Sequence, residues 1–167
     1  MNRLQRTLAK LDGLPAPLRG VARNFALRRA VPFTGTASLD FVALSPESSE
    51  IRIANQRPVQ NHIKGVHAAA MSLLAETATG MVVGMNVRDD CLPLCKSLQV
   101  NFKRRATGGL VAKAHLTAAQ RFAMANETKG EVTVAVTVTD EAGIEPIQCE
   151  FVWAWVPKET SKSKPQA

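Results

Sequence analysis

Cysteine is scarce in this chain, with only Cys91, Cys95 and Cys149 among 167 residues. Three thiols make no paired framework, and Cys91 and Cys95 have no neighbouring His or Cys at zinc spacing. Free thiols in a reducing cytoplasm are therefore expected, and no metal site. There is no phosphate loop, no G-x-G-x-x-G turn and no G-x-S-x-G elbow, which removes the usual nucleotide-binding and serine-hydrolase signatures and implies no tightly bound cofactor. No internal repeat is apparent. The first thirty residues lack the continuous apolar segment of a secretory signal. They are Arg-rich and amphipathic, as transit peptides are, but contain no serine, and they read as an integral helical arm.

Acidic residues are also few, and the net charge is +7. That charge is unevenly placed. Residues 1–31 hold seven Arg or Lys against Asp12 alone, whereas 32–157 hold eleven basic and twelve acidic residues. The body is nearly neutral, so a basic nucleic-acid-binding domain is not expected. One domain suffices for this length, and such a chain buries about two-thirds of its unfolded surface.

The most informative scarcity lies between Gly65 and Val87, where Glu76 is the only ionised side chain. A carboxylate midway along an apolar helix loses hydration, and its pKa and basicity rise unless a partner compensates. The run is long enough to span a bilayer, but its Glu, Ser, Thr and Gly content and the strands after it predict a buried core helix. Before it, Leu4, Leu8 and Leu11 recur at helical spacing up to Gly13, Pro15 to Ala30 reads as a second helix ended by Pro32, and Thr36–Ala43 and Glu50–Ala54 read as paired strands. After it, four runs with period two predict strands. They are centred on Leu98–Phe102, Leu110–Thr117, Val132–Val138 and Ile147–Trp155, with turns at Thr107–Gly109, Gln120–Gly130 and Asp140–Gly143. A helix apolar on nearly every side must be wrapped by this antiparallel sheet, giving an α+β fold. The expected organisation is a basic helical arm over 1–31, one domain over 32–157 and a disordered tail over 158–167.

This order, with Asn61, Gly65, His67 and Glu76 at its centre, resembles the hotdog-fold acyl-CoA thioesterases, in particular the phenylacetate-pathway type. The motif of that family runs Asn, Gly, a His-Gly-Gly-like turn and an acid nine residues after the His. Pro32-Phe33-Thr34-Gly35-Thr36 further resembles a branch whose members mostly lack assigned function. The resemblance covers 32–156. It implies a homodimer with acyl-CoA as substrate, and leaves open whether dimers pair into tetramers. In place of Gly-Gly the chain has Ala68-Ala69, whose Cβ atoms crowd a close backbone approach.

The matched residues imply thioester hydrolysis, which needs an activated water or a carboxylate nucleophile and donors for the developing oxyanion. Glu76 would act as general base or attack directly. The amides around Ala68 and Ala69, at a helix N-terminus, would polarise the carbonyl, and Asn61 would hold the water or the acyl oxygen. Two roles are open to His67, donation to the thioester or capping of the helix, and two to Ser97, assistance to the reaction or a place on a solvent-facing strand. Lys103, Arg104 and Arg105 are candidates for the CoA phosphates, with Arg121 as a further one. On one ideal helix His67 and Glu76 lie about 13.5 Å apart along the axis and on opposite faces, so a site using both needs a second subunit. Two other functions fit the residues: a non-catalytic dimer that binds acyl-CoA, favoured by Ala68-Ala69, and a hydroxyacyl-thioester dehydratase using His62 and Glu76, which lacks the Phe-Pro and Pro-Gly signatures of that group.

Overall fold

The computed structural model describes residues 1–159. From 160 on, the expected tail lies outside the described residues. Around the helix α4 (Ala68–Asn86) curves a six-stranded antiparallel sheet of β1 (Asp40–Leu44), β2 (Ser48–Ile53), β3 (Cys91–Phe102), β4 (Leu110–His115), β5 (Gly130–Asp140) and β6 (Ile147–Pro157). The strands lie side by side in the order β1-β2-β4-β5-β6-β3, which puts β1 and β3 at the two edges.

The helix starts where the chain supplies a cap and a run of strong helix formers. His67 keeps an extended backbone and its side chain accepts from the Ala69 N–H, after which Ala68-Ala69-Ala70 carries the first turn. By length and apolarity α4 could cross a bilayer, but here it is the core element, with ten residues buried and Leu74, Ala75, Ala78, Val82 and Val83 without exposure. The sheet answers with Phe41, Ile51, Ala112, Val134, Phe151 and Trp155. Such burial stabilises by roughly 25 cal/mol per Å² of apolar surface, which makes α4 the centre of the folding energy.

Gly80 lets one of these contacts close. A Cβ there would stand 2.8 Å from the Trp153 ring, and that ring is held by its own hydrogen bond from Nε1 to Thr79 Oγ1 at 3.0 Å. Gly80→Ala is therefore expected to lower stability by about 1–3 kcal/mol through overpacking, outweighing its helix-propensity gain. Chemical denaturation would read this as a lower midpoint with an unchanged slope.

Several boundaries differ from the sequence reading. Pro32 ends α2 (Ala16–Ala30) but also opens a short helix, α3 (Pro32–Thr36), because its fixed φ suits a first helical position; Ser38 at φ 53° then turns the chain into β1. The stretch expected as a turn over 120–130 contains most of α5 (Ala118–Asn126). Its start is a capping box in which Thr117 accepts from the Gln120 N–H and the Gln120 side chain accepts from the Thr117 N–H. The first strand after α4 begins at Cys91, six residues before Ser97. Pro93 is tolerated there because β3 is an edge strand.

The basic arm packs on the same core. Leu8 of α1 (Arg3–Asp12) and Leu27 of α2 are buried in it. Asn2 Nδ2 donates to the Gly84 and Val87 carbonyls at 2.8 and 2.7 Å, satisfying the C-terminal end of α4, while Arg6 pairs with Asp89 at 2.7 Å. Along the other edge α2 is bonded to the start of the sheet: Asn24 accepts from the Phe41 N–H and donates to Asp40, and Arg28 donates to the Leu39 carbonyl.

Candidate active site

Glu76 lies on the one strip of α4 that its own sheet leaves partly open. Ser72, Leu73 and Glu76 are only partly buried, whereas Leu74, Ala75, Thr77 and Ala78 face the core. The Glu76 carboxylate has no ion pair and meets no donor in hydrogen-bond geometry among the described residues. Burial raises its pKa. The neighbouring Thr77 hydroxyl acts in the opposite direction, but it too is buried without a partner, and burial prevails. The helix backbone under the carboxylate is fixed from the sheet: the Thr79 hydroxyl accepts from Trp153 Nε1 and donates to the Glu76 carbonyl at 2.9 Å.

Across from Glu76 stands the edge strand β3. Its register with β6 shifts between Cys95 and Ser97, so Lys96 is a bulge. Before the bulge Pro93 and Cys95 oppose the inward residues Trp155 and Trp153; after it Leu98, Val100 and Phe102 oppose Phe151, Cys149 and Ile147. Ser97 opposes the outward Val152 and so lies on the sheet face away from α4. Of the two roles open to it, the structure gives Ser97 the solvent-facing one. Cys95, which sequence reasoning did not connect with the site, is near enough to Glu76 that, after burial, the carboxylate charge is the next factor raising the thiol pKa. The helix-to-strand pairing that brings these two together has no local sequence signal.

The other candidate residues gather at the N-terminal end of α4. Asn61, Gly65, Ala68, Met71, Phe102 and the run Lys103–Arg105 line a cleft of about 330 Å³. Asn61 Oδ1 accepts from the Ile63 and Gly65 amides, both at 3.1 Å, and shapes the turn whose Lys64 has φ 62°. Its carbonyl oxygen is thus engaged, while its Nδ2 donors have no partner among the described residues. What Asn61 has left to offer is a donor, which suits an acyl oxygen or the oxygen of a water alike. His62 is exposed in the same turn, outside this cleft.

His67 takes the capping role. Its Nδ1 accepts from the Ala69 N–H at 3.0 Å, which removes that amide from an oxyanion hole and leaves the Ala68 N–H, at the positive end of α4, without a partner among the described residues. With Nδ1 accepting, the remaining ring proton belongs on Nε2.

The three cations of the run are not equivalent. Arg104 is bound to Asp140, a carboxylate with no side-chain exposure, and so is a structural ion pair rather than a free phosphate ligand. Burial pushes the Asp140 pKa up, but the amides of Thr107 and Ile144, the Arg104 charge and the Ala142 amide together bring it below the usual value. Lys103 and Arg105 remain exposed and unpaired among the described residues. Arg121, the further candidate, is engaged by Glu47 at 3.2 Å.

One chain thus assembles Asn61, Gly65, Ala68, Lys103 and Arg105 around a cleft, and places Glu76 more than two helical turns along α4 from His67, beside β3 and outside the cleft lining. The fold, a long helix wrapped by an antiparallel sheet, is the hotdog fold of thioesterase-like proteins. The chain belongs to the DUF4442 family, a domain of unknown function, whose sequence model matches residues 22–156. No curated protein matches it. Among solved structures, it is similar to a Pseudomonas aeruginosa protein of unknown function described as a probable thioesterase, with 21% identity, a TM-score of 0.72 and coverage of 87% of this chain and 97% of that one. A thioesterase family protein from Silicibacter pomeroyi shares 15% identity at a TM-score of 0.63, covering 83% of this chain and 98% of the other. A Haemophilus influenzae thioesterase shares 10% identity at 0.61, covering 78% and 87%.

Proposed function

We propose that this protein hydrolyses acyl-CoA thioesters at a site shared between two copies of the chain, with Glu76 as general base or nucleophile. The observation that carries the reading is Glu76 itself: a half-buried carboxylate with a raised pKa and no compensating cation among the described residues, on the open strip of α4 beside β3, the edge strand that pairs only with β6. Burial without compensation makes a carboxylate basic, which serves proton abstraction from water near neutral pH. The Ala68 amide and Asn61 Nδ2 supply donors for the carbonyl oxygen, and Lys103 and Arg105 supply charge for the CoA phosphates.

Assembly follows from the distance along α4. Glu76 meets the Ala68 end of a helix only if that helix is another copy's, brought up along β3. The edge is prepared for this: Leu98 and Phe102, which point toward the helix side, are each 53% exposed, and Ile63, also exposed, lines the cleft with Phe102. An uncovered apolar edge of this length is a template for strand pairing. Leu98→Asp is expected to give a monomer by analytical ultracentrifugation where the native chain is a dimer, and to lose activity with it.

Release of free thiol from a panel of acyl-CoAs tests the hydrolysis. Turnover is expected, and Lys103→Ala with Arg105→Ala should raise KM for acyl-CoA about tenfold while leaving kcat, and leaving turnover of a thioester that lacks the nucleotide, near native values. A second reading has its own observation. His67 occupies the Ala69 amide and Ala68 and Ala69 carry Cβ atoms, which suits a dimer that binds acyl-CoA without turnover. That reading would show as thermal protection by acyl-CoA with no thiol released.

A further inference from the structure

Away from the Glu76 strip, the arm carries an apolar face that nothing among the described residues covers. Leu18, Val21 and Phe25 follow one another at the three- and four-residue spacing of one side of α2, Pro32 shares a groove with Val21 and Phe25, and Val31 and Phe33, on either side of Pro32, are exposed as well. Leu18, Val21, Phe25, Val31 and Phe33 are 56%, 70%, 71%, 53% and 60% exposed. This is not an undocked core face, because α2 is already held to the body of the fold, and two of the residues that hold it, Asn24 and Arg28, line one groove with Val21, Phe25, Arg29 and Pro32. Leu27 is buried, Asn24 bonds to Asp40 and Phe41, and the Arg23 and Arg28 guanidinium groups donate to the carbonyls of Val42, Leu39 and Ser38. Contiguous exposed apolar side chains of this size mark a surface that meets something else.

The charge around the patch selects what it meets. Residues 16–33 contain Arg19, Arg23, Arg28 and Arg29 and no acidic residue. Arg23 and Arg28 donate to backbone carbonyls and, although Asp40 lines a cleft with Arg28, form no ion pair among the described residues, and Arg19 and Arg29 stand exposed without one. A second copy docking by this face would bring like charges together. An anionic bilayer opposes them with phosphate while accepting the apolar side chains between its headgroups. The position fits: α2 lies along β1, at the opposite end of the sheet from β3, so a dimer paired through β3 leaves the patch of each copy outward.

We infer that the Leu18–Phe33 face of α2 and α3 is a docking surface for anionic membrane, with the phenylalanines entering the headgroup region and the arginines contacting lipid phosphate. The inference is independent of the chemistry at Glu76. It is tested by flotation of the purified full chain with vesicles of phosphatidylcholine alone, or of two parts phosphatidylcholine to one part phosphatidylglycerol. The chain is expected to float with the anionic vesicles and not with the neutral ones, and to be released by high salt. Phe25→Ser with Phe33→Ser should weaken the binding at least tenfold, and Arg19→Gln with Arg29→Gln by roughly twenty-fivefold, at about fivefold per charge. Because all four side chains are exposed, thermal unfolding should stay near native, and a folded variant that no longer floats supports the surface. Absence of flotation with anionic vesicles would overturn it, as would flotation of the Phe25→Ser/Phe33→Ser variant equal to the native chain. An assembly larger than a dimer that this same variant breaks, without vesicle binding, would assign the face to a second copy instead.

Discussion

Glu76→Gln is expected to reduce thioester turnover by about a hundredfold to ten-thousandfold, the usual contribution of a positioned acid or base, with little change in KM. The same substitution should raise stability at neutral pH, which separates a chemical role from a structural one. A carboxylate whose folded pKa is raised favours folding fully below its unfolded value and loses that contribution as pH climbs through the folded one. At neutral pH native Glu76 is therefore a burden that Gln removes. Below the ordinary Glu pKa both side chains are neutral and the two proteins should unfold alike. Native activity should in turn fall as pH drops through the raised pKa, since the base is then protonated. Thiol release and thermal unfolding across pH measure both, and equal turnover in the two proteins would take Glu76 out of the mechanism.

The second large effect belongs to Asp140. It accepts from the Thr107, Ala142 and Ile144 amides and from Arg104, with no exposure of its own side chain. Asp140→Ala strands three amides and a partly buried guanidinium at once, and should cost about 3–5 kcal/mol. Its linkage has the opposite sign to that of Glu76. Despite the burial penalty, the amides and Arg104 hold the folded pKa below the unfolded value, so its stabilisation is complete above the unfolded pKa and is lost as pH falls through the folded one. Denaturant titrations at neutral and acid pH should show the native chain approaching the variant as Asp140 protonates. Asp140 also anchors the segment that carries Lys103 and Arg105, so acyl-CoA binding is expected to weaken in the variant before any effect on the proton-transfer step.

The core helix carrying Glu76 was legible because one charge in a long apolar run marks a buried helix, and the four late strands because period two survives in their sequence. What escaped had long-range causes or overlapping signals. Arg104 looks like its neighbours until Asp140, 36 residues later, claims it across the end of β5. The capping box of Thr117 and Gln120 was present, but the polar run after it resembled a turn. The early half of β3 was hidden because Pro93 is uncommon in strands and the Lys96 bulge changes which alternate residues face the helix. Both roles proposed for His67 were compatible with its position, and only the Ala69 amide on its ring decides between them.

That bulge has a further consequence for how two copies can meet. Pro93 offers no N–H and Lys96 interrupts the ladder, so the regular part of the free edge runs only from Ser97 to Phe102. A partner strand sliding along β3 by two residues in either direction forfeits part of so short a ladder, and a slide of one would turn its apolar side chains to the wrong face. The irregular half of the strand thus acts as a ruler. In the proposed dimer it would narrow the possible alignments of two copies to very few, and that alignment would set the distance from one Glu76 to the opposing Ala68.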